Sequence, residues 1–575
     1  MRGIKRGGEE RIETKTQRKG DHIMPIQGCP AYASADIEKY AGMRWWLGMT
    51  WGDIFNKHSD IYPEKIGLVD DAGRWTNQEF RQAVDKLAVS LMELGIKEKD
   101  RVLLQLPNWH EFVFSWLALQ KIGAIIVVLI PRHNAMEINH LSKQTSPVAW
   151  ILPQEYGKIA YQPVIDAVCK ENPQIRHIVQ ARTSGETRYH TLENLTARGE
   201  LTRQDLEALE GRRPDPDEVS QILPTGGTTG MPKLSPRTHN CYWNNVEYHA
   251  YRWELTSQDT IMVITPLGHN LSVHWGMAAS LFCHAKLVLL DSTRPDDICA
   301  WVQREKVTAI PTVPTLIARM VQMENLGAYD LSSLKKISVG GAPSTHELVK
   351  TVYEKIGAQF VNGFGSVEGT CASTRLGDSI DLICGSVGKP ICPYDELKIV
   401  DQDDREVPVN AEGELVSKGP GVFTGYFDSS EEDRAKVFTK DGFFRTGDQA
   451  KKDEFGNIWV TGRIKDIIIR GGENISAVEI ENLMSTHPAI ADSAVVAMPD
   501  KILGERTCAF VVAKPGSAPT LDDIVSFLKG KGASVLQLPE RVELVGDLPM
   551  TKVGKVDKKS LREEIKKKME KEGKI

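Results

Sequence analysis

No apolar run in this chain approaches the roughly 20 residues that a bilayer demands of a helix. The longest, "AIIVVLI" at 124–130, has the length of a buried strand, so no membrane span is expected. No CxxC pair occurs among the nine cysteines, an odd number scattered from Cys29 to Cys508. That pattern argues against a disulfide framework or a structural zinc site and for free thiols in a reducing cytoplasm. Neither sign of charge dominates: 71 Lys and Arg stand against 77 Asp and Glu, a net charge of −6. No stretch is basic enough to mark a nucleic-acid partner. The first 23 residues, "MRGIKRGGEERIETKTQRKGDHI", lack the apolar core of a signal peptide. They read as a disordered extension, with Met24 as an alternative start. What is present is an ordinary globular composition, 41% hydrophobic and 26% charged, long enough for several domains.

From residue 76 the pattern alternates helix and strand. "TNQE" (Thr76 to Glu79) is a capping box opening a helix toward Gly95. "RVLLQL" from Arg101 follows as a buried strand, "WHEFVFSWLALQKIG" as an amphipathic helix and "AIIVVLI" as another strand. The rhythm recurs to about residue 365 and predicts an α/β fold of mostly parallel, helix-covered sheets. After about residue 400, short strands with Asp and Gly turns predict a small all-β region. "SAVE" (Ser476 to Glu479) then caps a helix through Thr486 inside a compact α+β unit. The expected division is an extension at 1–23, a large N-terminal domain at 24–464 and a small mobile C-terminal domain at 465–575.

In such sheets ligands sit beyond the carboxyl ends of the strands. The glycine-rich pieces fall there, after Leu223, Val339 and Val361. The first, "PTGGTTGMPKLSPRTHN", is built for phosphate yet is not a Walker loop. Lys233 is followed by Leu234, so the Ser or Thr that would hold magnesium is missing. Pro236 would also break a helix starting at Gly230. The loop therefore reads as strand, loop, strand, with a helix from about Thr238. Loop N–H groups of Gly226, Gly227 and Gly230, the hydroxyls of Thr225, Thr228 and Thr229, and Lys233 would hold the anion.

In these residues the chain resembles the adenylate-forming superfamily, which includes acyl-CoA and aryl-CoA ligases, peptide-synthetase adenylation domains and luciferases. The resemblance runs from about residue 45 to 562, with the motifs in family order. "TGGTTGMPK" resembles the phosphate loop and "GGAP", with Gly341, Ala342 and Pro343, the adenine-binding turn. "NGFGSVEG", with Gly363, Phe364 and Gly365, resembles the segment closing the nucleotide site. "FRTGD" ends in Asp448, "GRIKD" holds Arg463 and Lys465, and "TKVGKVDKK" carries Lys555. "GHN" and "GKVDKK" look most similar to ligases that adenylate 2,3-dihydroxybenzoate.

The resemblance implies attack of a carboxylate on the α-phosphorus of ATP, release of pyrophosphate, and transfer of the acyl group to a thiol. Two anions must meet, so catalysis is charge neutralisation and alignment. Glu368 resembles the Mg2+ ligand, Asp448 the acceptor for both ribose hydroxyls, and Arg463 a contact to ribose or α-phosphate. Lys555 resembles the cation brought to the reacting carboxylate. Lys465 takes the hinge position about which the C-terminal domain turns between half-reactions, with "RGGEN" moving inward.

"PLGHNLSVHWG" (Pro266 to Gly276) lies where the family lines its acid pocket. His269 resembles a residue beside the reacting carboxylate; Asn270, Leu271, Ser272 and Gly363 complete the lining. Dihydroxybenzoate ligases carry Tyr where Leu271 stands and Val where Gly363 stands. Both differences predict a more apolar or roomier pocket, suited to benzoate-like, bulkier or alicyclic acids. The acceptor implied is coenzyme A, with the pantetheine arm of an acyl or aryl carrier protein as the alternative. Luciferase-like oxidation and non-catalytic nucleotide binding are the readings from other classes.

Overall fold

The computed structural model describes residues 26–225, 232–470, 473–551 and 555–574. Seven strands form one sheet in the spatial order Leu234–Thr238, Val219–Pro224, Ile125–Val128, Arg101–Leu104, Ala149–Pro153, His177–Ala181 and His190–Thr191. Every pairing there is parallel except the hairpin of Val219–Pro224 with Leu234–Thr238. Nine strands form a second sheet. Its centre is the parallel run Gln359–Gly365, Lys336–Gly340, Ala309–Thr312, Thr260–Val263, Lys286–Leu289 and Ile66–Val69.

One shared core joins the two sheets. Its buried side chains come from strands of both, such as Val102 and Ile126 with Ile261 and Leu287, and from the helices between them. Those helices are Asn77–Glu93, His110–Lys121 and His239–Arg252. The first opens on the predicted capping box, Thr76 and Glu79 each bonding the other's backbone N–H.

Helix His110–Lys121 departs from its amphipathic reading: every residue from Glu111 to Lys121 is buried. A helix covered by sheets on both sides has no solvent stripe, so its polar residues need partners. Lys121 pairs with Asp85 and donates to Asn56 Oδ1 at 2.8 Å, while Glu111 accepts from Arg182. Separate cores fill the outer face of each sheet, covered by helices such as Ala135–Thr145 and Pro295–Glu305. The "MRWWLGMTW" segment packs onto this body, with Trp46 and Trp51 buried and Trp46 Nε1 donating to the Pro420 carbonyl at 2.9 Å.

The predicted all-β region is a four-stranded antiparallel sheet of Glu396–Val400, Gly413–Lys418, Phe444–Lys452 and Ile458–Arg463. A short 3₁₀ turn, Ile464–Asp466, leads into a smaller α+β unit built on the long pair Ile490–Asp500 and Gly504–Ala513. Ser476 caps helix Ala477–Met484 there, two residues shorter than expected from sequence. Glu479, on the first turn of that helix, accepts from Gln537 at 2.9 Å. The fold is thus α/β, a large N-terminal domain followed by a small C-terminal one. Among the described residues no helix is long and apolar enough to cross a membrane.

Candidate active site

Two paired strands flank the first glycine-rich stretch. Val219–Pro224 and Leu234–Thr238 pair with Ile222 opposite Pro236, and Thr238 caps helix His239–Arg252. Pro236 is tolerated because its strand lies at the sheet edge. The loop's two ends are tied to each other. Thr225 N–H donates to the Lys233 carbonyl at 2.8 Å, and Lys233 N–H donates to Thr225 Oγ1 at 3.1 Å. Gly226, Gly227, Thr228, Thr229 and Gly230 lie outside the described residues. Lys233 is exposed, its ammonium 4.7 Å above the Tyr426 ring.

The two neighbouring strands of the nine-stranded sheet deliver the next pieces. Lys336–Gly340 ends at Gly341, whose φ of +85° needs glycine, and Gly341, Ala342 and Pro343 form an exposed turn. Gln359–Gly365, which contains Gly363 and Phe364, ends just before the turn that carries Glu368. Glu368 is buried at 8% exposure, and the Tyr426 hydroxyl donates to its Oε1 at 2.6 Å. No hydrogen bond to its Oε2 comes from the described residues, which leaves that hard oxygen as a candidate cation donor. That donor suits a cation such as Mg2+ that keeps its other sites for phosphate and water.

Asp448 and Arg463 meet because they are opposite one another in the antiparallel pairing of Phe444–Lys452 with Ile458–Arg463. Arg463 Nε lies 2.6 Å from Asp448 Oδ1. Burial pushes the Asp448 carboxyl up to about 6 against the pull of the Arg463 and Lys555 charges.

Lys555 comes from the C-terminal unit. Its own N–H donates to Thr551 Oγ1 at 3.1 Å, and the neighbouring Val556 forms an antiparallel bridge with Met550. Lys555 Cε lies 3.5 Å from the position a Cβ would take on Gly341, so the side chain reaches over the "GGAP" turn. Enclosure by protein and the Arg463 charge lower its pKa, with Asp448 opposing. The residue is nonetheless exposed, so water reaches the side chain and offsets part of that lowering.

His269 is half-buried, and burial together with the Lys555 charge lowers its imidazole to about 4, leaving it neutral at pH 7. Its Nδ1 accepts from Leu271 N–H at 3.2 Å, which makes Nε2 the protonated, donating nitrogen. The Tyr242 hydroxyl donates to Asn270 Oδ1 at 2.8 Å, which orients the amide so that its NH2 is the group left for a ligand. Leu271 and Ser272 are buried, and Ser272 is tied to Thr265. Lys465 is exposed in the 3₁₀ turn, next to Asp466, which pairs with Arg562 at 2.8 Å. Of "RGGEN", Gly471 and Gly472 lie outside the described residues.

Three residues escaped the sequence reading. Tyr426 links Glu368 and Lys233. Arg237, a residue type rarely buried whole, is 1% exposed. It donates to the Val367 and Gly421 carbonyls at 2.9 and 2.8 Å, holding the turn that carries Glu368. Trp275 occupies the space that Gly363 was expected to leave open: a Cβ on Gly363 would lie 2.3 Å from the indole Cη2. No periodicity announces any of the three.

Comparison with known proteins identifies the family. The model of the AMP-binding enzymes matches residues 55–427, and that of the AMP-binding enzyme C-terminal domain matches residues 479–555. The 2,3-dihydroxybenzoate-AMP ligase of Bacillus subtilis (strain 168) is 35% identical over 547 residues, covering 95% of this chain and 99% of its own. A salicylyl-CoA synthase / salicylate adenylyltransferase of a Streptomyces species is 32% identical over 545 residues, with 94% and 98% covered. The salicyl-AMP ligase / salicyl-S-ArCP synthetase of Mycobacterium tuberculosis is 32% identical over 528 residues, with 91% and 92% covered. The chain belongs to the AMP-binding enzymes, and it is an ATP-dependent, adenylate-forming ligase.

Proposed function

We propose that this ligase activates a cyclic carboxylic acid, aromatic or alicyclic, and then transfers the acyl group to the thiol of coenzyme A. The observation that carries this reading is convergence. Glu368, Asp448, Arg463 and Lys555 come from four separate segments, and Tyr426, the Asp448–Arg463 pair and the reach of Lys555 over Gly341 gather them at one cleft. The acid's carboxylate oxygen attacks the α-phosphorus, and the bond to the bridging oxygen of pyrophosphate breaks. Lys555 neutralises charge between the two anions, Asp448 accepts the ribose hydroxyls, and Arg463 neighbours both. Glu368 would hold Mg2+, which supplies further charge neutralisation on the phosphates. His269, neutral and donating through Nε2, orients the acid's carboxylate without adding charge.

Lys555 belongs to a smaller unit (465–575) joined to the larger one (24–464) at the turn holding Lys465. Rotation there would withdraw the lysine and admit a pantetheine thiol, which attacks the acyl carbon and releases AMP. The relative named for salicylyl-CoA supports CoA as acceptor. The relative named for a salicyl-S-ArCP product keeps a carrier-protein arm as the second reading.

The test is exchange of labelled pyrophosphate into ATP across a panel of carboxylic acids, followed by mass spectrometry with CoA or a carrier protein added. Acid-dependent exchange and an acyl-CoA product are expected. ADP in place of AMP would refute adenylation; thioester on the carrier alone would move the acceptor to the second reading.

A further inference from the structure

The two strands that end at the cleft carry a pair of glycines side by side. Gly340 and Gly363 are register partners in adjacent parallel strands, which leaves a bare patch on the sheet. The six-membered edge of the Trp275 indole stands on it. A Cβ on Gly340 would lie 2.8 Å from Trp275 Cη2, and one on Gly363 2.3 Å from the same atom, closer than real Cβ contacts allow. The indole is therefore seated in a slot that only glycines provide.

Its other supports are as specific. Trp275 lies on the π-helix Ser272–Ala278, a rare element that re-aims side chains by one residue relative to an α-helix. That helix is pressed onto strand Thr260–Val263: a Cβ on Gly276 would lie 2.3 Å from Val263 Cγ2. His249 stacks on the indole, ring centroids 4.9 Å apart and planes within 6° of parallel. Trp275 is 5% exposed, and with its ring edge on the glycines and His249 stacked on one face it has little freedom to swing aside.

The place of this slot relative to the reacting end gives it a function. Lys555 reaches over Gly341, and Gly340, the next residue along the strand, is already under the indole. Consecutive Cα atoms are about 3.8 Å apart, so the lysine and the indole stand over neighbouring positions at the end of one strand. Asn270 and Leu271 belong to the segment that leads into the same π-helix.

We propose that Trp275 is the end wall of the acid pocket and restricts this ligase to single-ring or smaller acids, excluding fused bicyclic ones. This deepens the adenylation reading and rests on it. It also reverses the expectation drawn from Gly363: the missing side chain makes room for a tryptophan of the protein itself, and the pocket is shorter for it.

The experiment is pyrophosphate exchange with benzoate, cyclohexanecarboxylate and 2-naphthoate, using wild-type enzyme, Trp275→Ala, Trp275→Leu, Gly363→Ala and the double variant Trp275→Ala/Gly363→Ala. Wild type should use the single-ring acids and discriminate against naphthoate. Trp275→Ala should raise the naphthoate-to-benzoate ratio of kcat/KM at least about tenfold, the lower end of what one extra carbon in a tight pocket is worth. Trp275→Leu should shift it less, and it carries the test if the alanine variant does not fold. Gly363→Ala alone should depress exchange, whereas the same change beside Trp275→Ala should cost little, because the clashing ring is gone. An unchanged ratio in folded Trp275 variants, equal use of both acid sizes by wild type, or equal cost of Gly363→Ala in both backgrounds overturns the wall while leaving adenylation standing. Absence of exchange with every acid overturns adenylation and the wall together.

Discussion

Replacing Lys555 by alanine separates the two half-reactions more sharply than any other single change. A unit charge about 4 Å from the developing charge, at an effective dielectric near 20, contributes ~4 kcal/mol. Comparable preorganised donors cost about 10²–10³ in kcat, or roughly 2.7–4 kcal/mol, when removed. Pyrophosphate exchange should therefore fall 100- to 1000-fold. Thioester formation from supplied acyl-adenylate should change by less than about threefold, because the lysine is withdrawn in that step. A second readout follows from Asp448. Its carboxyl, pushed up to about 6 by burial, is held down by Arg463 and Lys555. Below that pH it is protonated and loses its full capacity to accept from ribose, so exchange should decline as pH falls through about 6. Without Lys555 one of the two cations is gone, and the acid limb should move to higher pH. Rate against pH in exchange assays, with single-turnover thioester formation alongside, decides the matter. Equal loss in both halves, or an acid limb that stays put, would refute the moving lysine.

Other substitutions probe the supports. Tyr426→Phe removes the donor to Glu368 Oε1, a bond to a charged group worth about 1.5–3 kcal/mol. The Mg2+ concentration for half-maximal exchange should rise roughly tenfold, and urea unfolding should register the loss of the same bond. Lys121→Met leaves the buried Asp85 carboxylate with Arg81 alone, at 3.6 Å, which should destabilise by about 3 kcal/mol, the lower end of what breaking a buried pair costs, in urea titration. Gly369→Ala would set a Cβ 2.0 Å from the Gly421 carbonyl oxygen at a φ of +101°, so soluble yield should collapse and melting should begin at lower temperature.

The layered α/β body was legible because helix caps and apolar strands are local signals. Thr76 and Thr238 cap their helices where read, and Pro236, together with Leu234 in place of a Ser or Thr after Lys233, was enough to set the phosphate loop apart from a Walker helix. Asp448 and Arg463 were visible as motifs, but their cross-strand pairing depends on a register that residue types do not encode. The shortfalls share a cause in tertiary context. Helix His110–Lys121 carries the polar residues of a surface helix and is buried because two sheets cover it. Trp275 was missed because a π-helix changes which side chains share a face, and because the space beside Gly363 depends on what a distant segment places there.

The core shared by the two large sheets has a consequence for how the protein comes apart. Helices Asn77–Glu93 and His110–Lys121 give apolar surface to both sheets, so neither sheet can open without stripping the other. A fragment ending near residue 215, though it carries most of the first sheet, would leave that surface wet and should aggregate. The body above the all-β region should melt as one cooperative unit, and the first stable intermediate on heating should be the one that has lost only the C-terminal unit, whose cores are its own.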